Sequence, residues 1–302
     1  MVEIKFNTPA MHKPLFIPFL LITVFFPSCE EEGEVVTDSS NQPAEDQVNG
    51  NQNLLNFLKE SSSYIHEIDG FYIVSSNENP VVDKEFPNAS AKDIFEASTR
   101  YFSSFLDQDE NGEIDNEALL KALSENYLFV IGHRDYVEHI TDAQLLIDEG
   151  YYGIAMFTDE WPYNASFTGK DWEFESLESS LWRPEGFNAL WEEVFHTITE
   201  GFTTYLKGFE FTSGSTLSGY MEADIAANSY DTSEQNELEN GVYDKVTAVS
   251  EYIHQIWMIN YGGHENKLNV YQKNTLDFMI ESGIPMNLNP DYKSVLGTTI
   301  ME

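Results

Sequence analysis

A segment in the second half of this 302-residue chain combines acidic side chains with a histidine at helical spacing. Glu192 and His196 lie four residues apart, so on a helix they would project from one face, one turn apart. Carboxylate and imidazole groups are ligands of zinc and other transition metals. The spacing therefore predicts that Glu192 and His196 can hold one metal ion between them.

A second polar stripe lies in a later, mostly apolar segment that is expected to be a buried helix. Glu251 and His254 belong to this stripe, and buried polar groups need partners. Glu251 is therefore the first candidate for a third metal ligand. His254 and Glu222 are alternative ligands.

The segment Glu192-Glu193-Val194-Phe195-His196 resembles the His-Glu-x-x-His helix of the zincin metallopeptidases, with Glu192 in the place of the first histidine. The resemblance implies that Glu193 is the general base and that His196 is the second ligand. Glu251 is similar to the late glutamate ligand of the glutamate zincins. A zincin-like C-terminal half that binds zinc or another transition metal, with peptidase-like hydrolase activity, is the resulting expectation.

Two other interpretations remain open for the same residues. Glu193-x-x-His196 and Glu251-x-x-His254, with Glu222 between them, resemble the ligand pattern of ferritin-like di-iron carboxylate proteins. Alternatively, the polar face of the first helix is simply solvated. In a chain with 52 acidic residues, an acid near a histidine is expected often by chance.

Residues 107–118 resemble the calcium loop of an EF-hand. Oxygen-bearing side chains occupy positions 1, 3, 5 and 9, a glycine stands at position 6, and position 7 coordinates through its backbone carbonyl. The calcium candidates in order are Asp107, Asp109, Asn111, Glu113 and Asp115. The chain departs from the pattern at position 12, where Ala118 replaces the bidentate glutamate and Glu117 lies one residue early. A weakly bound, structural calcium ion is expected.

The N-terminus is typical of an export signal. The apolar run from Leu15 to Phe26 follows Lys13 and is too short to span a membrane. The sequence Phe26-Pro27-Ser28-Cys29 resembles a bacterial lipobox, which implies lipidation at Cys29. We expect a signal peptide over residues 1–28, an acidic flexible tether over 29–52, and a lipoprotein of the outer membrane or cell surface that contacts the membrane only through its lipid anchor.

The composition limits the classes of partner and fold. The formal net charge of −37 argues strongly against binding to the phosphate backbone of nucleic acid, which needs clustered Lys and Arg. A hydrophobic content of 41% is sufficient for a folded core despite that charge. The single cysteine excludes an internal disulfide framework.

The hydrophobic patterns predict one α+β domain over residues 53–302, with a small sheet in the N-terminal half and a mainly helical, zincin-like C-terminal half. Strands are expected at 70–74, 127–132 and 152–157. Helices are expected at 53–68, 90–106, 116–124, 142–147, 187–207, 215–229, 244–261 and 269–281.

The sequence thus supports two hypotheses about function. The first is an exported metal-dependent hydrolase. The second is a non-catalytic surface protein on a zincin-like scaffold, in which the aromatic-rich loop between Trp161 and Trp182 binds a peptide or glycan.

Overall fold

The computed structural model describes residues 44–77, 91–158, 189–230, 245–261, 265–284 and 295–297. The predicted signal peptide, Cys29 and the aromatic-rich loop lie outside these residues. Within the described residues the fold is α+β, with a small sheet in the N-terminal half followed by helices, as the sequence predicts.

Four strands form one sheet in the order β1-β2-β3-β4. β1 pairs antiparallel with β2, whereas β2, β3 and β4 run parallel. The strands are β1 Tyr64–Ile68, β2 Phe71–Ser75, β3 Tyr127–Gly132 and β4 Tyr152–Phe157. β3 and β4 begin and end where the sequence predicts, but β4 is an edge strand and only Met156 on it is fully buried.

The helices cover both faces of the sheet. They are α1 Ala44–Ser61, α2 Ala91–Leu106, α3 Glu117–Asn126, α4 Arg134–Thr141, α5 Gln144–Glu149, α6 Ala189–Thr203, α7 Thr216–Ala226, α8 Lys245–Tyr261 and α9 Val270–Glu281. Alternate residues of β2 and β3 point to opposite sides, so the sheet separates two apolar cores. The smaller core contacts α1, α4 and α5, and the larger one contains α2, α3 and α6 to α9.

The predicted helix over residues 53–68 is wrong in both of its boundaries. α1 begins at Ala44, inside the predicted tether, and ends at Ser61, and residues 64–68 form β1 instead. The cause is a tight hairpin at Asp69-Gly70, where both residues have positive φ (43° and 88°) and join β1 directly to β2. Asp-Gly between two apolar runs is a strong hairpin signal, because these residues tolerate the left-handed conformation that the turn requires.

Aromatic packing fixes α6 between α2 and α8. Trp191 of α6 contacts Tyr101 of α2 edge-to-face, with ring centroids 4.4 Å apart. Phe195 stacks on Trp257 of α8 at 4.5 Å. On another side α6 approaches α3 closely at Gly201, where a Cβ atom would lie 2.7 Å from the side chain of Leu119. These contacts hold α6 and α8 in one orientation, which determines where their polar side chains meet.

Candidate metal centre

Four side chains from α6 and α8 converge inside the helical half. Glu192 and His196 come from α6, and Glu251 and His254 come from α8. Each offers one nitrogen or oxygen atom, and these four atoms all lie within 4.8 Å of one another. The structure therefore contains a group of residues that could hold a metal ion, and we call these four residues the helix centre.

The separations within the helix centre match those around one ion. Nε2 of His196 lies 3.5 Å from Oε1 of Glu251 and 3.8 Å from Oε1 of Glu192. Nδ1 of His254 lies 3.4 Å from the same Glu192 oxygen. Ligands at about 2.1 Å from a tetrahedral zinc ion are separated by roughly 3.4 Å, so no large movement is needed for coordination.

Two members of the helix centre are buried and the other two are mostly covered, which argues against the interpretation of a solvated polar face. Glu192 is 5% exposed and His254 is 4% exposed. Burial follows from the helix packing, since Phe195 lies against both Trp257 and the ring of His254. Taking two carboxylates and two imidazoles out of water is costly unless they are compensated by one another or by an ion.

The electrostatics of the centre are dominated by these carboxylates. Burial alone lowers the pKa of His196, but the Glu192 and Glu251 carboxylates outweigh it and raise this pKa well above its ordinary value. The pKa of Glu193 is raised to about 8, mainly by burial; His196 lowers it, and Glu192 and Glu251 add smaller increases. Glu193 is partly buried and interacts electrostatically with these three residues, so it lies beside the helix centre without belonging to it.

The two nitrogens of the His196 ring have different surroundings. Nδ1 lies 2.8 Å from the hydroxyl of Ser250 on α8. Nε2 is buried and faces the carboxylates of Glu251 and Glu192 at 3.5 and 3.8 Å, which is longer than a well-formed hydrogen bond. A buried nitrogen that faces two carboxylates at this separation is placed as a metal ligand would be. Sequence reasoning missed Ser250, although its position four residues before His254 places it on the same face of α8.

The structure does not bring together the residues that the di-iron pattern requires. Glu222 is exposed on α7 and does not belong to the helix centre. Glu192, rather than Glu193, joins His196 in the group. Of the predicted ligands and alternatives, the structure unites Glu192, His196, Glu251 and His254.

The predicted calcium loop forms a second group that could hold an ion. One carboxylate oxygen from each of Asp107, Asp109 and Asp115 lies within 4.8 Å of the others. Asp107 is fully buried at the end of α2, and its carboxylate accepts hydrogen bonds from the backbone N–H groups of Asn111 (3.1 Å) and Gly112 (2.8 Å). The loop therefore wraps around Asp107.

The remaining loop residues agree only in part with the EF-hand pattern. Gly112 has φ of +86°, the left-handed conformation that favours glycine at the sharp turn. Asn111 directs its side-chain oxygen to the backbone N–H of Glu113 (2.7 Å). Asn116 caps α3 through the N–H of Leu119. Glu117 is exposed in the first turn of α3 and is not part of the three-carboxylate group.

No family model, curated protein or solved structure matches this chain. In the part of the chain that the structure describes, no helix is both long and apolar enough to cross a bilayer.

Proposed function

We propose that this chain is an exported zinc-dependent hydrolase whose ion is held by Glu192, His196 and Glu251. The observation that carries the proposal is the convergence of these side chains, with inter-ligand distances of 3.5 and 3.8 Å in a largely solvent-shielded position. The zincin-like order of Glu192, Glu193 and His196 along α6 supports the proposal, because it supplies a candidate base that interacts electrostatically with the ligands.

The donor set is compatible with zinc and argues against calcium and magnesium. The helix centre mixes imidazole nitrogen with carboxylate oxygen, which suits zinc, whereas calcium and magnesium prefer shells built from oxygen alone. Three protein ligands in a tetrahedral arrangement leave one position for water or substrate. Zinc bound there would polarise a water molecule and a substrate carbonyl.

Glu193 is the residue that would move protons in this hydrolase. Its carboxylate lies within electrostatic reach of all three ligands. A zinc ion at the centre would lower the raised pKa of Glu193 again, because a nearby cation favours the carboxylate. The ionised Glu193 could then accept a proton from water and later donate it to the leaving group, which is general acid–base catalysis. A peptide bond is the substrate class that the zincin-like motif favours.

His254 supports a second candidate function, a closed and non-catalytic metal centre. Its Nδ1 lies 3.4 Å from Glu192, and the ring is almost fully buried. If His254 completes the tetrahedron, no position remains for water, and the ion would only stabilise the fold. The protein would then act as a surface binding protein.

The loop at 107–115 is proposed to bind a structural calcium ion. The three converging carboxylates and the left-handed Gly112 support this assignment. Because position 12 supplies no carboxylate, we expect weak binding, in the range of extracellular calcium modules. In this proposal the ion holds the loop between α2 and α3.

The decisive experiment for the zinc hydrolase combines metal analysis with activity on mixed peptides. We expect one zinc ion per chain and cleavage of a peptide pool detected by mass spectrometry. Glu193→Gln should retain zinc and lose cleavage by about 10²- to 10⁴-fold, the usual contribution of a general base. Glu222→Gln, at an exposed glutamate of α7, is the matched control and should retain both properties.

Variants at His254 distinguish the two candidate functions. In an open site, His254→Ala keeps its zinc and its cleavage activity. In a closed site the same variant loses zinc affinity, and no cleavage is seen in the parent protein. Purified protein that binds no zinc at all would reject both candidates.

We also propose that the chain is anchored at the outer membrane or cell surface through lipidated Cys29. This proposal is based only on the lipobox-like sequence around Cys29. In a bacterial host the wild-type chain should fractionate with membranes, and Cys29→Ala should be released or left unprocessed. Ser28→Ala keeps a small residue before the cysteine and serves as the control. Normal processing and membrane association of Cys29→Ala would contradict the anchor.

A further inference from the structure

The hydroxyl of Ser250 makes its hydrogen-bond contact with a neighbouring helix and not with a carbonyl group of its own helix. Ser98 and Ser104 on α2 donate to carbonyl groups one turn earlier in their own helix, at 2.8 and 3.0 Å. Ser250 instead reaches across from α8 to Nδ1 of His196 on α6, at 2.8 Å. Its side chain therefore connects the two helices at the point where the helix centre forms.

This contact bears on which ring nitrogen of His196 can bind a metal. A neutral imidazole carries a proton on one nitrogen and a lone pair on the other, and only the lone pair coordinates. The hydroxyl oxygen of Ser250 can accept a hydrogen bond from Nδ1–H, so that the proton stays on Nδ1. The lone pair is then on Nε2.

Nε2 is also the nitrogen that faces the other ligands. It lies 3.5 Å from the Glu251 carboxylate and 3.8 Å from that of Glu192. One ring orientation thus satisfies Nδ1 with Ser250 and aims Nε2 into the centre. If the hydroxyl donated to Nδ1 instead, Nε2 would carry a proton and could not coordinate, so an ion at this position selects the first arrangement.

We infer that Ser250 is a positioning residue for the metal centre, which fixes the tautomer and ring orientation of His196 so that Nε2 is the ligand. The inference rests on the proposed zinc centre. Ser250 directly precedes the ligand Glu251 on α8. Two adjacent residues of this helix therefore act at the centre: Glu251 as a ligand, and Ser250 as the hydrogen-bond partner of the ligand His196. Hydrogen-bond partners of metal-bound histidines commonly contribute about 10- to 100-fold in metal affinity.

The first test measures zinc affinity by competition with a chelator. Ser250→Ala should bind zinc about 10- to 100-fold more weakly than wild type. Ser250→Thr retains the hydroxyl and should recover most of that loss. Ser98→Ala removes the same atoms from a buried helical serine outside the centre and should leave the affinity unchanged. Equal zinc affinities for Ser250→Ala and Ser98→Ala would overturn the inference while leaving the zinc centre intact.

The second test observes the tautomer directly and needs no variant. Long-range proton–nitrogen NMR of the zinc-loaded wild-type protein should show His196 with a proton on Nδ1 and the metal on Nε2. Metal on Nδ1 would overturn the role of Ser250 even if Ser250→Ala fails to fold. Absence of zinc binding by the wild-type protein would reject the proposed function itself, so the two failures are distinguishable.

Discussion

His196→Ala is expected to abolish the thermal stabilisation that zinc gives to the wild-type protein. An ion that binds only the native state stabilises it by mass action, by about 2.7 kcal/mol when free zinc is 100 times the dissociation constant. For a domain of this size that corresponds to an increase in the unfolding midpoint of roughly 5–10 °C. Loss of His196 removes a central ligand, so zinc should not raise the unfolding midpoint of the variant.

The comparison must be made between zinc-loaded and zinc-free forms of each variant. In the zinc-free protein the His196 ring lies between the Glu192 and Glu251 carboxylates, at 3.8 and 3.5 Å. Its removal leaves two buried like charges facing each other and should itself destabilise the fold by about 3 kcal/mol. Differential scanning calorimetry of both forms separates this cost from the loss of metal.

His139→Ala provides the matched control for this prediction. His139 is an exposed histidine on α4 and does not belong to the helix centre. The His139→Ala variant should show the same zinc-induced increase in the unfolding midpoint as the wild-type protein. If zinc raised the unfolding midpoint equally in wild type and His196→Ala, the stabilising zinc ion would bind at another site on the acidic surface.

The pairing of candidate ligands within each helix could be predicted from the sequence because it depends on short-range spacing. On a helix, separations of three and four residues bring side chains to one face, and this alone links Glu192 with His196 and Glu251 with His254. The apolar faces of both helices then indicate that they are buried against other elements. In the structure the two helices pack so that their polar stripes converge.

The sequence could not show whether the polar face of α6 meets water or protein. That outcome depends on which helix packs against it, and the partner α8 lies about fifty residues away in the chain. The contact between Ser250 and His196 has the same origin. No local pattern distinguishes a serine that bonds its own helix from one that bonds a neighbour.

The missed strand β1 has a local explanation. Leu54, Leu58, Ile65 and Ile68 are spaced by four, seven and three residues, so the apolar helical period of α1 continues in phase into β1. Only the three serines at 61–63 and the Asp69-Gly70 turn mark the break. Pairing of β1 with β2 outweighs the helical pattern, because it buries Ile65 and Ile68 on the sheet.

Calcium is expected to raise the unfolding midpoint through the loop at 107–115. With a dissociation constant of 0.1–1 mM, on the order of extracellular calcium modules, 10 mM Ca²⁺ would stabilise the native state by about 1.4–2.7 kcal/mol. This corresponds to an increase of roughly 3–10 °C. Asp107→Ala should abolish the increase.

Asp107 also supports the loop without an ion, so a second variant is needed. Its carboxylate accepts hydrogen bonds from Asn111 and Gly112, and Asp107→Ala should therefore destabilise the calcium-free protein by about 1–3 kcal/mol as well. Asp109 is exposed, and Asp109→Ala removes one carboxylate of the group while the Asp107 bonds remain. Asp109→Ala should thus lower the calcium increment with a smaller effect on the calcium-free protein.

Nonspecific screening of the acidic surface is the competing cause of any calcium effect. A chain of net charge −37 gains stability from added cations in general, because they reduce its self-repulsion. Asp148→Ala, at an exposed aspartate of α5, removes one charge outside the loop and measures this general effect. Scans in sodium chloride at matched ionic strength supply a second measure. Screening would be the cause if calcium raised the unfolding midpoint equally in wild type, Asp109→Ala and Asp148→Ala and if sodium reproduced the increase. An ion in the loop would be the cause if the increase were lost only in Asp107→Ala and Asp109→Ala.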